Sequence, residues 1–537
     1  MKKADFLIVV FVILLCTAPG CAPKPILRDV STDYDVIVIG AGMGGLSSAT
    51  HLAIGGMKVL LLEQHYKVGG CTSSFERGDF KFETALHEMS MGGGDGIIRH
   101  ILEKAGIHDD VELIRTPTLG RSIFPGFEFT HVNGVQETFD ALVKQWPKEK
   151  ESLEEFHEML EEMHEETLEL RDLYLANPLK EILTKLTVPL RQRTLTRYNN
   201  NTINEVFDDL FEDEKLKSVL SQFWVYYGPP PSQQWSLIYF VANYSYMRNG
   251  AWQIKGSSQA LADAYAAQIE KVGGKIMTDS LVESIIVDDR DRARGITLAS
   301  GEEFSAHYIV SSIDPFQVFN KMIPKEKTPR KIRKLLNKME PSNSFVGVYL
   351  GLDVPLSHFG IKETDYEIIY NTSLDEDLMY RNMMAGNYDG GLVTITLYSN
   401  LKDPFYAPEG KSVVVLNAYS DISTWPKRGD EYYKQKEKME NSLIKLAENV
   451  LPNLSEHIEV REGMTPRTIH QYTLQHNGIP YGWNFTPGQS NRIPIATDIE
   501  GLYMTGSWVW PAHSVSMTQL SGYLTAQLIL KRERLIE

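Results

Sequence analysis

Residues 34–82 read YDVIVIGAGMGGLSSATHLAIGGMKVLLLEQHYKVGGCTSSFERGDFKF, and this stretch decides the fold. Val36, Ile37, Val38 and Ile39 are an uninterrupted apolar run, the pattern of a strand buried on both faces. Gly40, Gly42 and Gly45 come next as G-x-G-x-x-G. The first glycine permits a tight turn, the second lets backbone approach a pyrophosphate, and the third lets helix and strand pack closely. Leu46, Ala49, Leu52 and Ala53 recur at helical spacing, so Met43 and Gly44 fall at a helix N-terminus, and Gly55-Gly56 supplies the stop. A second apolar run from Lys58 ends on Glu63, where a carboxylate can accept hydrogen bonds from both hydroxyls of an adenosine ribose. Strand, glycine turn, helix, strand and acid in this order predict a dinucleotide-binding βαβ unit.

The residues after the acid narrow the dinucleotide. Gln64 and His65 lead to Gly69-Gly70-Cys71, and the E-x(5)-G-G spacing resembles the extended motif of the glutathione-reductase-like flavoproteins. That resemblance implies FAD, with the paired glycines running under its diphosphate. Residues 61–89, LLEQHYKVGGCTSSFERGDFKFETALHEM, are similar to the corresponding stretch of the phytoene desaturase, carotenoid isomerase and retinol saturase family. The retinol saturase branch is nearest, through Glu63-Gln64-His65, Gly69-Gly70-Cys71, Phe75 and His87. One departure is Phe82-Glu83-Thr84-Ala85, where the family has F-D-x-G.

The chain has 537 residues, 42% hydrophobic and 23% charged, enough for two or more cores. Net charge is −16 with no basic cluster, which argues against a nucleic-acid partner. Lys2-Lys3 precede an apolar run from Phe6 to Cys16, about half the span of a hydrocarbon core, so the run reads as a signal-peptide core. Ala18-Pro19-Gly20-Cys21 resembles a bacterial lipobox. Residues 1–21 are therefore a leader whose Cys21 is a candidate for acylation, the alternatives being plain cleavage or an uncleaved anchor, and 22–33 a tether. The expected address is exported and membrane-associated. Cys16, Cys21 and Cys71 are the only cysteines, so neither a disulfide framework nor Cys/His metal spacing is present.

Further along, Gly92 to Gly96 reads as a loop, and Lys144 to about Leu175 as a long helix whose acids, Glu149, Glu151, Glu154 and Glu158 among them, form a solvated face. Ten aromatic side chains crowd Phe223 to Trp252, a composition suited to a helical core that also lines a cavity for a flat apolar ligand. Next come a helix from Ala260 to Lys271 and strands at 275–277, 282–287, 294–298 and 308–312. In the resembled family this pattern closes the cofactor domain, with the residue at Val282 against adenine and paired glycines before the helix; here Gly256-Ser257 keeps one. Strands at 345–350, 392–397 and 412–416 and a helix at 432–450 form a second mixed region. The final helix, Ser516 to Leu530, carries Leu520, Leu524 and Leu528 on one face. Its positive N-terminus suits a flavin's electron-rich edge, and the resemblance implies that Gly506, Ser507, Val515 and Met517 lie beside the cofactor.

The fold class is thus α/β: a glutathione-reductase-like FAD-binding Rossmann domain from segments 34–100, 253–320 and 495–537, with an α+β substrate domain from 101–252, mostly helical, and 321–494. The resemblance implies non-covalent FAD and a redox reaction at carbon–carbon double bonds of a polyene or isoprenoid lipid: saturation, desaturation or isomerisation. A second G-x-G-x-x-G after a strand is missing, so NAD(P)H enters only as a transient electron donor. Candidate catalytic residues are His87, as a proton donor, and Arg467 and Tyr481, from elements similar to the family's T-P-R-T and G-x-x-Y-G. The alternatives are a flavin amine oxidase and, from another class, a Rab-escort-like prenyl-binding protein.

Overall fold

The computed structural model describes residues 31–93, 96–175, 192–511 and 513–534. The expectations for the leader, Cys21, most of the tether and, in the 92–96 loop, Gly94-Asp95 lie outside the described residues. Two seven-stranded sheets organise the rest; strands are numbered in chain order. In the first sheet, β1 (Tyr34–Ile39) lies parallel to β2 (Val59–Leu62) on one side and to β12 (Glu303–Ser311) on the other. β9 (Lys275–Met277) joins β2, and β18 (Leu502–Met504) joins β12, both in parallel. β10 (Val282–Val287) and β11 (Ala293–Leu298) extend the sheet as an antiparallel meander onto β12. Both faces of β1 are covered, which is why its apolar run does not alternate. Val36 and Val38 enter a core with Leu46, Ala49 and Ile529, while Ile37 and Ile39 enter one with Phe319, Ile332 and Trp508.

Helix α1 (Met43–Ile54) leaves the glycine turn and packs against α6 (Val515–Arg532), the last helix. Their crossing is made of small residues. A Cβ at Gly522 would lie 2.4 Å from the Gly44 carbonyl oxygen and 2.7 Å from Ser47 Cβ, and Ser47 Oγ donates to the Gln519 carbonyl at 2.7 Å. The buried face of α6 is therefore Ser516, Gln519, Gly522 and Ala526, while the leucines that share one face, Leu520, Leu524 and Leu528, are half-buried. Helices this close leave no room for leucine between them.

The second sheet runs β17 (Ile458–Met464), β13 (Ser344–Leu352), β16 (Ser412–Ser420), β15 (Leu392–Thr396), β14 (Glu367–Asn371), β6 (Gly120–Phe124) and β7 (Phe127–His131). The β6–β7 hairpin pairs in parallel with β14, so the segment expected to be mostly helical also completes this sheet. The long acidic helix α2 begins at Lys150, not Lys144, because Trp146-Pro147 ends a preceding helix (Val135–Gln145). Glu149 is buried, accepting from the Glu212 and Asp213 amides at 2.9 and 2.7 Å, whereas Glu151, Glu154 and Glu158 are exposed. Two short pairings tie the sheets' surroundings together: β3 (Ser74–Arg77) with β4 (Phe80–Glu83), and β5 (Leu113–Arg115) with β8 (Trp252–Ile254). Met89 and Trp252 exchange both backbone hydrogen bonds, which fixes the segment carrying His87 and Glu88. Among the described residues, no helix is long and apolar enough to cross a membrane.

Candidate active site

A cavity of about 1290 Å³ opens between the two sheets. One end is a cradle of backbone. Ala41 N–H donates to Glu63 Oε2 at 2.7 Å and His65 N–H to Glu63 Oε1 at 2.9 Å, so the acid at the end of β2 braces the glycine turn and keeps its remaining lone pairs for a ligand. Gly69 N–H donates to the Ala41 carbonyl at 2.8 Å, laying the paired-glycine loop along that turn. Gly40, Gly42, Met43, Gly44, Glu63, Gln64, His65, Gly69, Gly70 and Cys71 all line the cavity, and so do Val282, Gly506, Ser507, Val515 and Met517. Gly45 does not. A Cβ there would sit 1.9 Å from the Gly40 carbonyl oxygen, so its part is the approach of α1 to β1.

These residues fit a dinucleotide. A Cβ at Gly42 would meet nothing within 4 Å, which marks open space where the turn faces the cavity. The N-termini of α1 and α6 both end on the cavity wall, and partial positive charge there suits a diphosphate and an electron-rich ring edge. Burial pushes the Cys71 thiol up to about 11, which leaves it unreactive. Glu83, where the F-D-x-G pattern is broken, accepts from Ser258 N–H at 2.7 Å, from the Tyr406 hydroxyl at 3.0 Å and from Ser258 Oγ. Its longer side chain thereby caps α4 (Ser258–Lys271).

The other end is aromatic and aliphatic. Of the ten aromatics between 223 and 252, Tyr226, Tyr227, Trp235 and Tyr246 line the cavity, and most of the rest pack into the core with α2 and α3 (Ser236–Asn249). His87 sits at the junction of the two ends. Its Nδ1 lies 2.9 Å from Thr396 Oγ1 and 3.1 Å from the Tyr398 hydroxyl, and its Nε2 lies 3.1 Å from Asn417 Nδ2. Thr396 donates to Glu367 Oε2 at 2.7 Å and Tyr398 donates to the Leu86 carbonyl at 2.8 Å. Both hydroxyl hydrogens are therefore spent, which assigns the proton to His87 Nδ1 and leaves Nε2 as acceptor. Burial pulls the imidazole down to about 4, so at neutral pH it is uncharged. This corrects the expectation of a histidine exchanging protons near neutrality.

Behind it, Glu367 is fully buried, accepts from the Tyr226 hydroxyl at 3.0 Å as well as from Thr396, and is pushed up to about 7 by burial. When Glu367 is protonated it can donate to Thr396, which then donates to His87 Nδ1, with the ring proton on Nε2 and the Asn417 amide turned to accept it, so the chain has two settings. Tyr481 lines the cavity, its ring stacked on His513 with centroids 4.5 Å apart. Arg467 does not reach it. Its Nη2 donates to the carbonyls of Trp425 and Ile422 at 2.9 and 3.3 Å, holding a surface turn from the start of α5 (Pro466–Thr473). Among the described residues no cluster of potential metal ligands is present. Glu367, Thr396 and Asn417 escaped the sequence reading. Asn417 had a signal, as the amide in the apolar strand SVVVLNAYS.

Comparisons with known proteins place this geometry. A model of the flavin containing amine oxidoreductase family matches residues 43–530. An all-trans-retinol 13,14-reductase of Danio rerio is 26% identical over 512 residues, 89% of this chain and 83% of that protein. A chloroplastic prolycopene isomerase of Daucus carota is 25% identical over 515 residues, 93% of this chain and 80% of that protein. A solved oxidoreductase from Methanosarcina mazei shares the fold with a TM-score of 0.60 at 16% identity, over 92% of this chain and 99% of that one. With FAD bound, such a site supplies hydride chemistry, while the protein orients the substrate and excludes water. The chain is an FAD-dependent oxidoreductase or isomerase and belongs to the flavin containing amine oxidoreductase family.

Proposed function

We propose that this protein holds FAD non-covalently and acts on carbon–carbon double bonds of a polyene or isoprenoid lipid, by saturation, desaturation or isomerisation. The observation that carries the reading is the continuity of one cavity from the glycine cradle to a far end lined by Val225, Tyr226, Tyr227, Trp235, Val241 and Ala242. Flat and aliphatic walls bury a long apolar chain, and each CH₂ contributes about 0.8 kcal/mol. Affinity then tracks chain length and ignores salt. The names of the two sequence relatives, a retinol reductase and a prolycopene isomerase, support the same substrate class. Electrons enter from a transient donor, NAD(P)H among the candidates. Oxidation of an amine is the second reading, favoured by one feature: an acid, Glu88, lines the cavity, where an ammonium group would pair with it.

The test uses FAD-loaded protein reduced anaerobically with dithionite. All-trans-retinol or a carotenoid is expected to reoxidise it, or to be isomerised, and to perturb the oxidised flavin spectrum beforehand. Turnover of a primary amine with peroxide release, without response to any polyene, overturns the reading in favour of the amine oxidase.

We also place the protein at a membrane surface, from which an insoluble polyene is drawn, with Cys21 as the lipid anchor. Cys21→Ser is expected to move the protein to the soluble fraction or block its maturation. A native N-terminus at Met1 overturns that placement.

A further inference from the structure

Glu88 has a setting that binding and hydride transfer leave unexplained. It borders the cavity, and its Oε2 is buried with no hydrogen-bond partner. The groups that act on it are a second carboxyl, Glu367, and the phenols of Tyr226, Tyr227 and Tyr246, while its neighbour His87 is an uncharged ring. None of these groups is a cation, so an ionised carboxylate placed there meets a second acid and no counter-charge. Burial and the neighbouring Glu367 hold the Glu88 carboxyl well above the ordinary carboxylate range. Glu367 has its own donors, Tyr226 and Thr396, and Glu88 faces the ligand space. Of the two, only Glu88 is placed to meet a substrate.

We propose that Glu88 is the acid that exchanges a proton with substrate carbon, with Glu367 as the positioning residue that disfavours its ionisation. The inference rests on the polyene reading above. In saturation, bound reduced FAD would supply the hydride that makes a C–H bond at one carbon of the double bond. The π electron pair moves to the other carbon and forms a C–H bond with the Glu88 proton. The Glu88 O–H bond breaks, its electrons remain as carboxylate, and solvent returns a proton between turnovers. Desaturation is the same step reversed, with the carboxylate as base. A general acid of this kind contributes about 10²–10⁴-fold to rate.

Two measurements on the FAD-loaded protein test this. Infrared spectra of the oxidised holoenzyme at neutral pH are expected to show the carbonyl stretch of a protonated carboxylic acid that shifts on adding all-trans-retinol and disappears in Glu88→Gln. No such band, or a band untouched by Glu88→Gln, overturns the proposal. Reoxidation of reduced enzyme by all-trans-retinol in deuterated water is expected to place two solvent deuteriums on carbon, one through the exchangeable hydrogen of the reduced flavin and one through the acid, slowing about 10²–10⁴-fold in Glu88→Gln, with partial recovery in Glu88→Asp and the same retinol affinity. An unchanged rate in Glu88→Gln overturns the role of Glu88 and leaves the polyene reading standing. A wild-type enzyme that responds to no polyene while its band shifts on adding a primary amine overturns both.

Discussion

At the cradle, the groups that meet a dinucleotide are backbone atoms and missing side chains between Gly40 and Cys71, helped by the starts of two helices. At the far end the polar groups are side chains drawn from positions 87, 226, 367, 396 and 417, each held by another. The first design tolerates no added atoms where backbone meets the cofactor, but accepts any side chain that points away from it and leaves the backbone alone. The second accepts modest changes of shape but depends on who carries each proton. Glycine substitutions probe the first rule, and carboxyl-to-amide changes probe the second.

The sharpest break of the cradle is a pair of substitutions three residues apart. Gly45→Ala puts a methyl 1.9 Å from a main-chain oxygen, so strand and helix must separate; a loss of about 4–5 kcal/mol or failure to accumulate soluble protein is expected. Gly42→Leu adds a larger group where a Cβ meets nothing and φ is −71°, an ordinary value. That variant is expected to keep the wild-type melting temperature of the apoprotein and to purify colourless, because the side chain fills the diphosphate's place. Thermal melts and flavin absorbance after reconstitution separate the two outcomes. Yellow Gly42→Leu protein would mean the cofactor runs elsewhere.

This contrast also explains what the sequence made legible. The cradle is local: its turn, helix start and bracing acid lie within about thirty residues, and each demands a particular residue type whatever surrounds it. The far end is not. His87 bonds to partners 309 and 330 positions away, and β14, β15 and β16 are buried almost throughout, so no alternation marks which side chains face a cavity. Glu367 in YEIIYN reads as the polar start of a strand, not as a fully buried acid. Arg467 errs in the opposite direction. Its motif was visible, but only the fold shows that the guanidinium turns to the carbonyls of Ile422 and Trp425.

A smaller effect, in pH dependence, sharpens the far end. Folded Glu367 keeps its proton to about 7, whereas an unfolded glutamate releases it near its ordinary value of 4.5. Between those values the folded state binds more protons, so its stabilising contribution is complete below the lower one and is lost as pH rises through the higher. At about 1.4 kcal/mol per pKa unit, the loss attributable to this group is about 3 kcal/mol. Glu367→Gln removes the ionisation, so its stability relative to wild type is expected to rise between pH 5 and 7.5. Urea midpoints for both proteins across that range measure the difference. A constant difference would show that Glu367 is ionised throughout, and the two-setting proton chain to His87 would fail with it.

The smallest expected change lies where the cradle departs from its own rule. Ser257 precedes α4 at φ +81°, a conformation that L side chains rarely adopt, and it is fully buried. A non-glycine residue in this region costs about 1 kcal/mol unless its side chain offsets the strain. Among the described residues the offset from its side chain is a hydrogen bond from Ser257 Oγ to Ser74 Oγ at 3.2 Å, between hydroxyls that solvent would satisfy in the unfolded chain. Glycine adopts the same backbone without strain, though it gains freedom in the unfolded chain. These terms leave Ser257→Gly stabilising by about 0.5 kcal/mol, with flavin affinity unchanged because Ser257 does not line the cavity. Denaturant midpoints, with flavin fluorescence titration alongside, read both quantities. Destabilisation with weakened FAD binding would show instead that the Ser257–Ser74 bond holds the strand after the paired glycines in place, making the serine part of the cradle.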